Sequence, residues 1–560
     1  MSFFQMTQLV IPKTLVAKET GNLVDFFKSY DNIVQKNSGI HDSKCLTIEC
    51  LEPQCPIPEG TYTKVKLTDE SVDVVNLDKS WISMKVQATV TLEFAKKDME
   101  EGTKIPLRSM AFVGLKSSSH IIEGYRILNS NRKTGCEQTQ ALYENAIVHF
   151  LKPHEETQGR PNIYTPWENA YKCSTSVCGT YLNDVTFEQQ APWNNRNNKR
   201  TVTFDLTIPL DDILSLSNIS MYPNYLFGNL QLEFKTTTQK NFVWCLVNHQ
   251  AALNAAKMMY SSVLFNNTSF VERKTDKCFY ACGDTVHPQF CYYIQDDASP
   301  TKPMIGDVKT MVGDVKVSVS DLTIVECQSN INGFRIKDTI KKQLLDKYSQ
   351  QTLIIPSQFI DYQQANKGPT NSALHTSTSY TLNNVSNICV TFPRTENEVV
   401  ISKNPFMSAF QLFVDNKPYP ETVGSTTSSR YCEYVLSNSH LDSLWCANKS
   451  LLFALCQRSD GIGNDGNYVL ERDGTNYCFN ASTERLCNGE GIFCDGLTKD
   501  ISLIRLDGLI DSGSKYKGEE VPSPHLFYIQ TTFWVCNASG VQYVMNDDTF
   551  LKTATEHDDD

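Results

Sequence analysis

The 560-residue chain has no apolar run of the roughly 18 residues that a membrane-spanning helix needs. It has no long basic run either, and its 51 Lys and Arg are outnumbered by 63 Asp and Glu, for a net charge of −12. That balance argues against strong nucleic-acid binding, which draws most of its affinity from phosphate neutralisation. The most basic short stretch, "NNRNNKR" from Asn194 to Arg200, reads as a solvated loop. The signatures G-x-S-x-G, H-E-x-x-H, the P-loop and the EF-hand loop are all missing. The histidines are scattered, none beside a plausible Ser or Cys nucleophile, so no catalytic and no cofactor-binding residue is assigned. A hydrolase on a β scaffold has nothing positive behind it. The N-terminal "MSFFQMTQLVIPKTLVAKE" lacks a charged n-region and a small-residue cleavage site. It reads as retained, which places the chain inside a cell, where thiols stay reduced. The 19 cysteines, mostly single residues within strand-like runs, then read as free buried thiols.

What is present is globular: 40% hydrophobic, 20% charged and 10% aromatic, with many Asn, Thr and Ser. The length exceeds one ordinary core and predicts two or three domains. Strand signals dominate. In "SWISMKVQATVTLEF" one alternating set, Ile82, Met84, Val86, Ala88, Val90, Leu92 and Phe94, is wholly apolar, which predicts a long strand with one buried face. "RTVTFDLTI" repeats the pattern with Val202, Phe204, Leu206 and Ile208, and "NLQLEFK" with Leu230, Leu232 and Phe234. "VKVSVSDLTIVE", "SNICVTFPR", "AFQLFVDN" and "TTFWVC" read the same way. Helical spacing is scarce. "IKDTIKKQLLDKYSQQ" sets Ile336, Ile340, Leu344, Leu345 and Tyr348 on one face, and "HQAALNAAKMMYSSVLF" is a second candidate.

Two stretches recur in order at offsets near half the chain. Ile208, Leu210, Asp211, Ile213 and Leu214 align with Ile504, Leu506, Asp507, Leu509 and Ile510; Leu226-Phe227 then aligns with Leu526-Phe527, each pair opening a further strand. Residues Ile121 to Leu151 parallel Met407 to Leu436: a strand, an Asn-centred turn (Asn129, Asn416), a polar stretch around a Tyr, and a return strand. Such matches predict duplication of one β domain.

The residues "VNLDKSWISMKVQ", "GYRILNSNRK", "LFVDNKPYP" and "LTIPLDDIL…YLFGNLQLEF" resemble the double jelly-roll major capsid proteins. That family includes the adenovirus hexon and the capsid proteins of Polinton/Maverick elements, adintoviruses and polinton-like viruses. The resemblance is architectural, spans about residues 60 to 550 and carries no catalytic fingerprint. It implies an all-β fold of two consecutive eight-stranded jelly rolls, with long loops, a few short helices and an N-terminal arm. The expected layout is an arm at 1–60, carrying a short amphipathic helix through Leu23, Phe26, Phe27, Tyr30 and Val34. A first jelly roll at 61–240, a connecting segment at 241–300 and a second jelly roll at 301–552 come next, with a helix inserted near 336–349. An acidic tail closes the chain at 553–560. It also implies a non-enzymatic structural protein of the virion, assembled inside the host cell. Homotrimers would form pseudo-hexagonal capsomers that tile an icosahedral shell. The implied partners are neighbouring capsomers, penton and minor capsid proteins, with a host receptor as a candidate at the outer loops. The alternative is a β-sandwich carbohydrate-binding or adhesive protein, since jelly rolls also serve lectins.

Local motifs weigh little against this reading. "GIGNDG" from Gly461 to Gly466 fits G-x-G-x-x-G, but the adjoining "NYVLERDG" reads as a strand ended by a turn, not as the helix a dinucleotide site needs. "CFYACGDTVHPQFC" offers Cys278, Cys282, His287 and Cys291 as zinc candidates, yet the spacing is not the tight C-x-x-C knuckle. "CLTIECLEPQC" offers Cys45, Cys50 and Cys55 with only His41 nearby as a fourth ligand. The assignment is therefore no metal and no cofactor. Plasma emission on purified protein is expected to find below about a tenth of an equivalent of zinc; a full equivalent would reverse the assignment.

Overall fold

The structure is a computed structural model of the chain. It describes residues 40–49, 57–95, 104–106, 111–129, 134–151, 175–176, 178–182, 186–188, 198–217, 219, 221–246, 280–286, 289–293, 308–312, 314–349, 353–367, 373–393, 407–424, 479–482, 497–510, 523–537 and 540–544. The arm helix, the second helix candidate, "GIGNDG" and the acidic tail lie outside these residues.

The main elements of the first half are β1 (Ile40–Glu49), β2 (Tyr62–Lys66), β3 (Val74–Ala95), β4 (Ala111–Gly114), β5 (Ile122–Asn129), β6 (Thr134–Gln138), α1 (Ala141–Leu151), β7 (Gly179–Leu182), β8 (Asn198–Pro209), β9 (Leu230–Thr236) and β10 (Val243–Leu246). The second half adds β11 (Asp314–Ile336), α2 (Asp338–Tyr348), β12 (Leu353–Gln364), β13 (Ala373–Thr391), β14 (Met407–Val414), β15 (Lys417–Gly424), β16 (Leu497–Ile510), β17 (His525–Asn537) and β18 (Gly540–Val544). The architecture is dominated by β-sheet, and its strand pairings are antiparallel.

β3 forms because its period-two pattern lets one face leave water at every second residue. Ile82, Met84, Val86, Ala88, Val90, Leu92 and Phe94 are all buried. β3 is flanked on one side by β8, in register from Asn198↔Leu92 to Pro209↔Trp81. On its other side runs β11, from Asp314↔Ala95 to Phe334↔Val74. β1 then covers the far edge of β11. A four-stranded sheet, β2–β9–β5–β6, completes much of the first half. β4 pairs with β7 and β10 in a further sheet.

In the second half a nine-stranded sheet runs β12–β17–β13–β16–β14–β15, with β18 beside β17. The pairing scheme repeats that of the first half. β2 pairs with β9 as β12 pairs with β17, and β3 pairs with β8 as β13 pairs with β16. The two late strands of each half thus return to the two early ones, as Greek-key closure of a sandwich requires.

Several details differ from the sequence expectation. Residues after β6 form the helix α1 rather than a return strand, and the return strand is β6 itself. Asn129 ends β5 and donates its Nδ2 to the Phe227 carbonyl at 3.0 Å instead of centring a turn. Asp415 and Asn416 do centre the β14–β15 hairpin, at φ 50 and 66, the left-handed pair a tight hairpin needs. That hairpin lies against β16, whereas β5–β6 lies against β9, so the second repeat matches in local form and not in sheet position. Leu226-Phe227 belongs to a one-turn helix, Asn224–Phe227, while Leu526-Phe527 lies within β17. In α2, Leu344 and Tyr348 are buried as expected, but Leu345 faces solvent and Ile336 closes β11. The heavy polar fraction of α2 leaves it only a narrow buried stripe.

Phe94 is fully buried at the end of β3 next to its partner Val315. Phe94→Ala is expected to lower unfolding free energy by about 3–5 kcal/mol. Thr203→Ala, exposed on β8, should stay within about 0.5 kcal/mol of wild type. Chemical denaturation of both variants checks the contrast.

Candidate functional site: the seam between the halves

Besides the β3–β11 ladder, the halves meet in a hydrogen-bonded network inside an apolar surround. Its first-half components come from three places. Tyr125 is on β5 and Cys136 and Gln138 are on β6; Glu144 is on the first turn of α1; Leu214 and Ser215 lie in the turn after β8. That turn forms because Pro209 ends β8 and opens a 3-10 turn at Leu210–Asp212. Leu210, Ile213, Leu214 and Leu216 are buried and pin it. The expected progression from an Ile-Pro-Leu strand end through a small helix to the closing strand is present, with β9 as that strand.

Glu144 is completely buried. Its Oε1 accepts from the Tyr125 hydroxyl at 2.9 Å and the Leu214 N–H at 3.1 Å. Its Oε2 accepts from Gln138 Nε2 at 2.9 Å. Gln138 Nε2 also donates to the Ile360 carbonyl of β12 at 2.9 Å, which carries the network into the second half. Ser215 continues it. Its Oγ meets the Tyr125 hydroxyl at 2.9 Å, and its carbonyl accepts from Trp534 Nε1 at 2.7 Å and Ser357 Oγ at 3.2 Å. Trp534 lies on β17 and Ser357 on β12. Gly135 lets the indole approach: a Cβ there would stand 3.0 Å from Trp534 Cζ3. Beside this network Tyr143 of α1 packs on Tyr362 of β12, with ring centroids 4.0 Å apart, and His525 and Phe527 of β17 close the cluster. Burial pushes His525 down to about 4, so it is a neutral aromatic filler near neutral pH.

Burial pushes the Glu144 carboxyl up to about 7, against the pull of its bonds from Gln138, Tyr125 and Leu214. The titratable groups facing it are the Tyr125 hydroxyl, the Cys136 thiol and, from β18, the Tyr543 hydroxyl, all raised chiefly by burial and therefore neutral. The network accepts either protonation state. An ionised Glu144 receives three donors. A protonated Glu144 donates to Tyr125, whose hydroxyl then turns to Ser215 Oγ. An amide at this position cannot do the same, because its NH2 group has no lone pair for the Leu214 or Gln138 donor.

Of the zinc candidates, Cys282 is buried and Cys291 lies on the strand Gln289–Tyr293. Cys278 and His287 fall outside the described residues. Cys45 is exposed and its Sγ sits 2.6 Å from Asn332 Oδ1. Among the described residues no three His, Cys, Asp or Glu side chains gather as metal ligands, and no helix is long and apolar enough to cross a membrane.

No protein-family model and no curated protein matches the chain. Solved structures with similar folds include a chain of the Sputnik virophage, at 9% identity over 90% of this chain and 89% of that one, TM-score 0.46. Another is the mavirus major capsid protein, at 9% identity over 91% and 92%, TM-score 0.43. A third is the Faustovirus major capsid protein, at 7% identity over 90% of each chain, TM-score 0.36.

The sequence singled out Leu214 and Phe527 only as repeat positions, and none of the polar side chains of the seam. Glu144 carried one signal: it is the lone acid in "ALYENAIVHFL", a mostly apolar run.

Because the folded Glu144 titrates at about 7, above its ordinary 4.5, its contribution to stability is fully present below about pH 4.5 and is lost as pH rises through 7. The loss is roughly 3 kcal/mol at most. Glu144→Gln should be the less stable protein at pH 5, by about 1–3 kcal/mol for its unpaired donor. It should lack the decline, so its deficit against wild type shrinks toward pH 8. Denaturant melts across that range read the difference directly.

Proposed function

We propose that this protein is a structural major capsid protein: a double jelly roll that trimerises into pseudo-hexagonal capsomers and tiles an icosahedral shell. The observation that carries this reading is the repeated pairing scheme. Each half returns its two late strands to its two early ones, and the halves are joined by a buried seam centred on Glu144 and Ser215. A chain with two similar lobes held rigidly side by side can supply two sixths of a hexagonal outline. Three such chains related by a threefold axis complete it, and a closed ring with no free end is the stable way to repeat one contact. The role is mechanical: the chain binds copies of itself and other shell components, carries out no reaction, and resides in the virion. The layout that goes with this reading is an arm at 1–60, a first jelly roll at 61–240, a connecting segment at 241–300, a second jelly roll at 301–552 and an acidic tail at 553–560.

Light scattering tests it. The expected species is about 190 kDa, three times the 63.2 kDa chain. Electron microscopy should find trimers with a six-lobed base. A monomer that persists at micromolar concentration would remove the shell-building reading.

A further inference from the structure

Among the described residues of the second sheet, the exposed large apolar side chains all lie on β16. Ile504 and Leu506 are buried, while Ile501, Leu503 and Leu509 on the opposite face are 78%, 41% and 55% exposed. A strand apolar on both faces is the pattern of one covered on both sides. Its counterpart in the first half, β8, is different. There Val202, Phe204, Leu206 and Ile208 are buried, and the outward residues are Thr201, Thr203 and Asp205. The two strands hold corresponding places in the pairing scheme, so fold alone does not demand an apolar outer face on β16.

The surroundings of the strip have the anatomy of a protein interface, an apolar centre within a charged rim. Arg505 lies over the Phe413 ring of β14 at 4.4 Å and pairs with Asp507 at 3.0 Å. His375 of β13 meets Asp507 at 3.1 Å, and Lys499 pairs with Asp415 at 3.0 Å. Both signs are held in place by neighbours, which favours a partner with its own mixed charges over a uniformly charged one. The strip lies on the opposite face of the sheet from Ser357 and Trp534, through which β12 and β17 pack against the first half, so the intrachain seam leaves it free.

We propose that the outward strip of β16, centred on Ile501 and Leu503, is the surface on which the first half of a second copy of this chain docks. This rests on the trimer reading above. The intrachain seam joins a first half to a second half, and a ring of identical chains needs the same kind of partnership once more, between chains. The receiving surface is on the first half, where a paired ladder, Lys64–Glu233 at 3.6 Å and Lys235–Glu123 at 3.0 Å, lies beside the exposed ring of Tyr62. Alternating charge with an exposed aromatic complements a mixed-charge rim around aliphatic side chains.

The test compares wild type, the double variant Ile501→Lys/Leu503→Lys, and Thr203→Lys as the matching change on β8. Each is the full chain, measured by light scattering across a concentration series, with circular dichroism to check folding. The expected result is a trimer for wild type and Thr203→Lys. For the double variant the midpoint concentration for assembly should rise on the order of a hundredfold or more. A folded double variant that assembles like wild type overturns this proposal and leaves the trimer reading standing. A wild type that stays monomeric overturns both. If the double variant does not fold, a solvent-sensitive fluorophore on Leu503→Cys decides: its emission should shift to the blue on assembly, while the same label on Thr203→Cys should not. No shift at Leu503→Cys in an assembling protein rejects the docking surface.

Discussion

The antiparallel ladder between β3 and β11 is the constraint on which the rest of the molecule depends. It joins residues 74–95 to residues 314–336, and so ties the second half to the middle of the first half's largest sheet. Backbone amides in a buried strand must find partners, and among the described residues β3, apolar along one face from Ile82 to Phe94, has none on this side except β11. Once the ladder is set, α2 and β12 start from a fixed point. The seam residues of β12 and β17 are then delivered to Ser215 and Glu144 rather than finding them by chance. The apolar core obeys the same logic, running without interruption from Val65 in β2 to Val541 in β18.

Within that frame the seam is unusual in being polar. An unmet buried donor or acceptor costs more than a met one contributes, so a network of this kind selects one docking geometry against near alternatives. Gln138 illustrates the economy. Its Nε2 serves Glu144 and the Ile360 carbonyl, while its Oε1 accepts from the Gln140 N–H at 3.1 Å. Shifting one half against the other by a single residue would break bonds at Ile360 and Ser215 together. Hydrophobic packing of the Tyr143, Tyr362 and Phe527 rings supplies attraction without that selectivity.

Much of the fold was readable in the residues, for a physical reason that also marks where reading stopped. Ile82 to Phe94 announce a half-buried strand because alternation is local and the pleat enforces it. The same holds for Val202 to Ile208 and Leu230 to Phe234. The partnership of β3 with β11 is not local, and no spacing within either strand names the other. α1 was taken for a strand because it is buried on several sides, so its apolar residues keep neither period cleanly. Ser215 works chiefly through its carbonyl, which every residue type possesses, and therefore leaves no mark in the letters. Glu144 became interpretable only when the helix placed it against Tyr125 and Gln138.

The separation of the two strands in the long ladder also bears on how the chain is made. A ribosome adds roughly 5–20 residues per second, so some ten to forty seconds pass between the emergence of β3 and that of β11. Throughout that interval a nascent first half presents a long unsatisfied strand edge, the kind of surface that captures strands from other chains. On a crowded polysome the nearest supply of a fitting strand is the β11 of a more advanced copy. The exposure of the growing polypeptide to such capture is thus written into the connectivity, independent of how stable the finished molecule is.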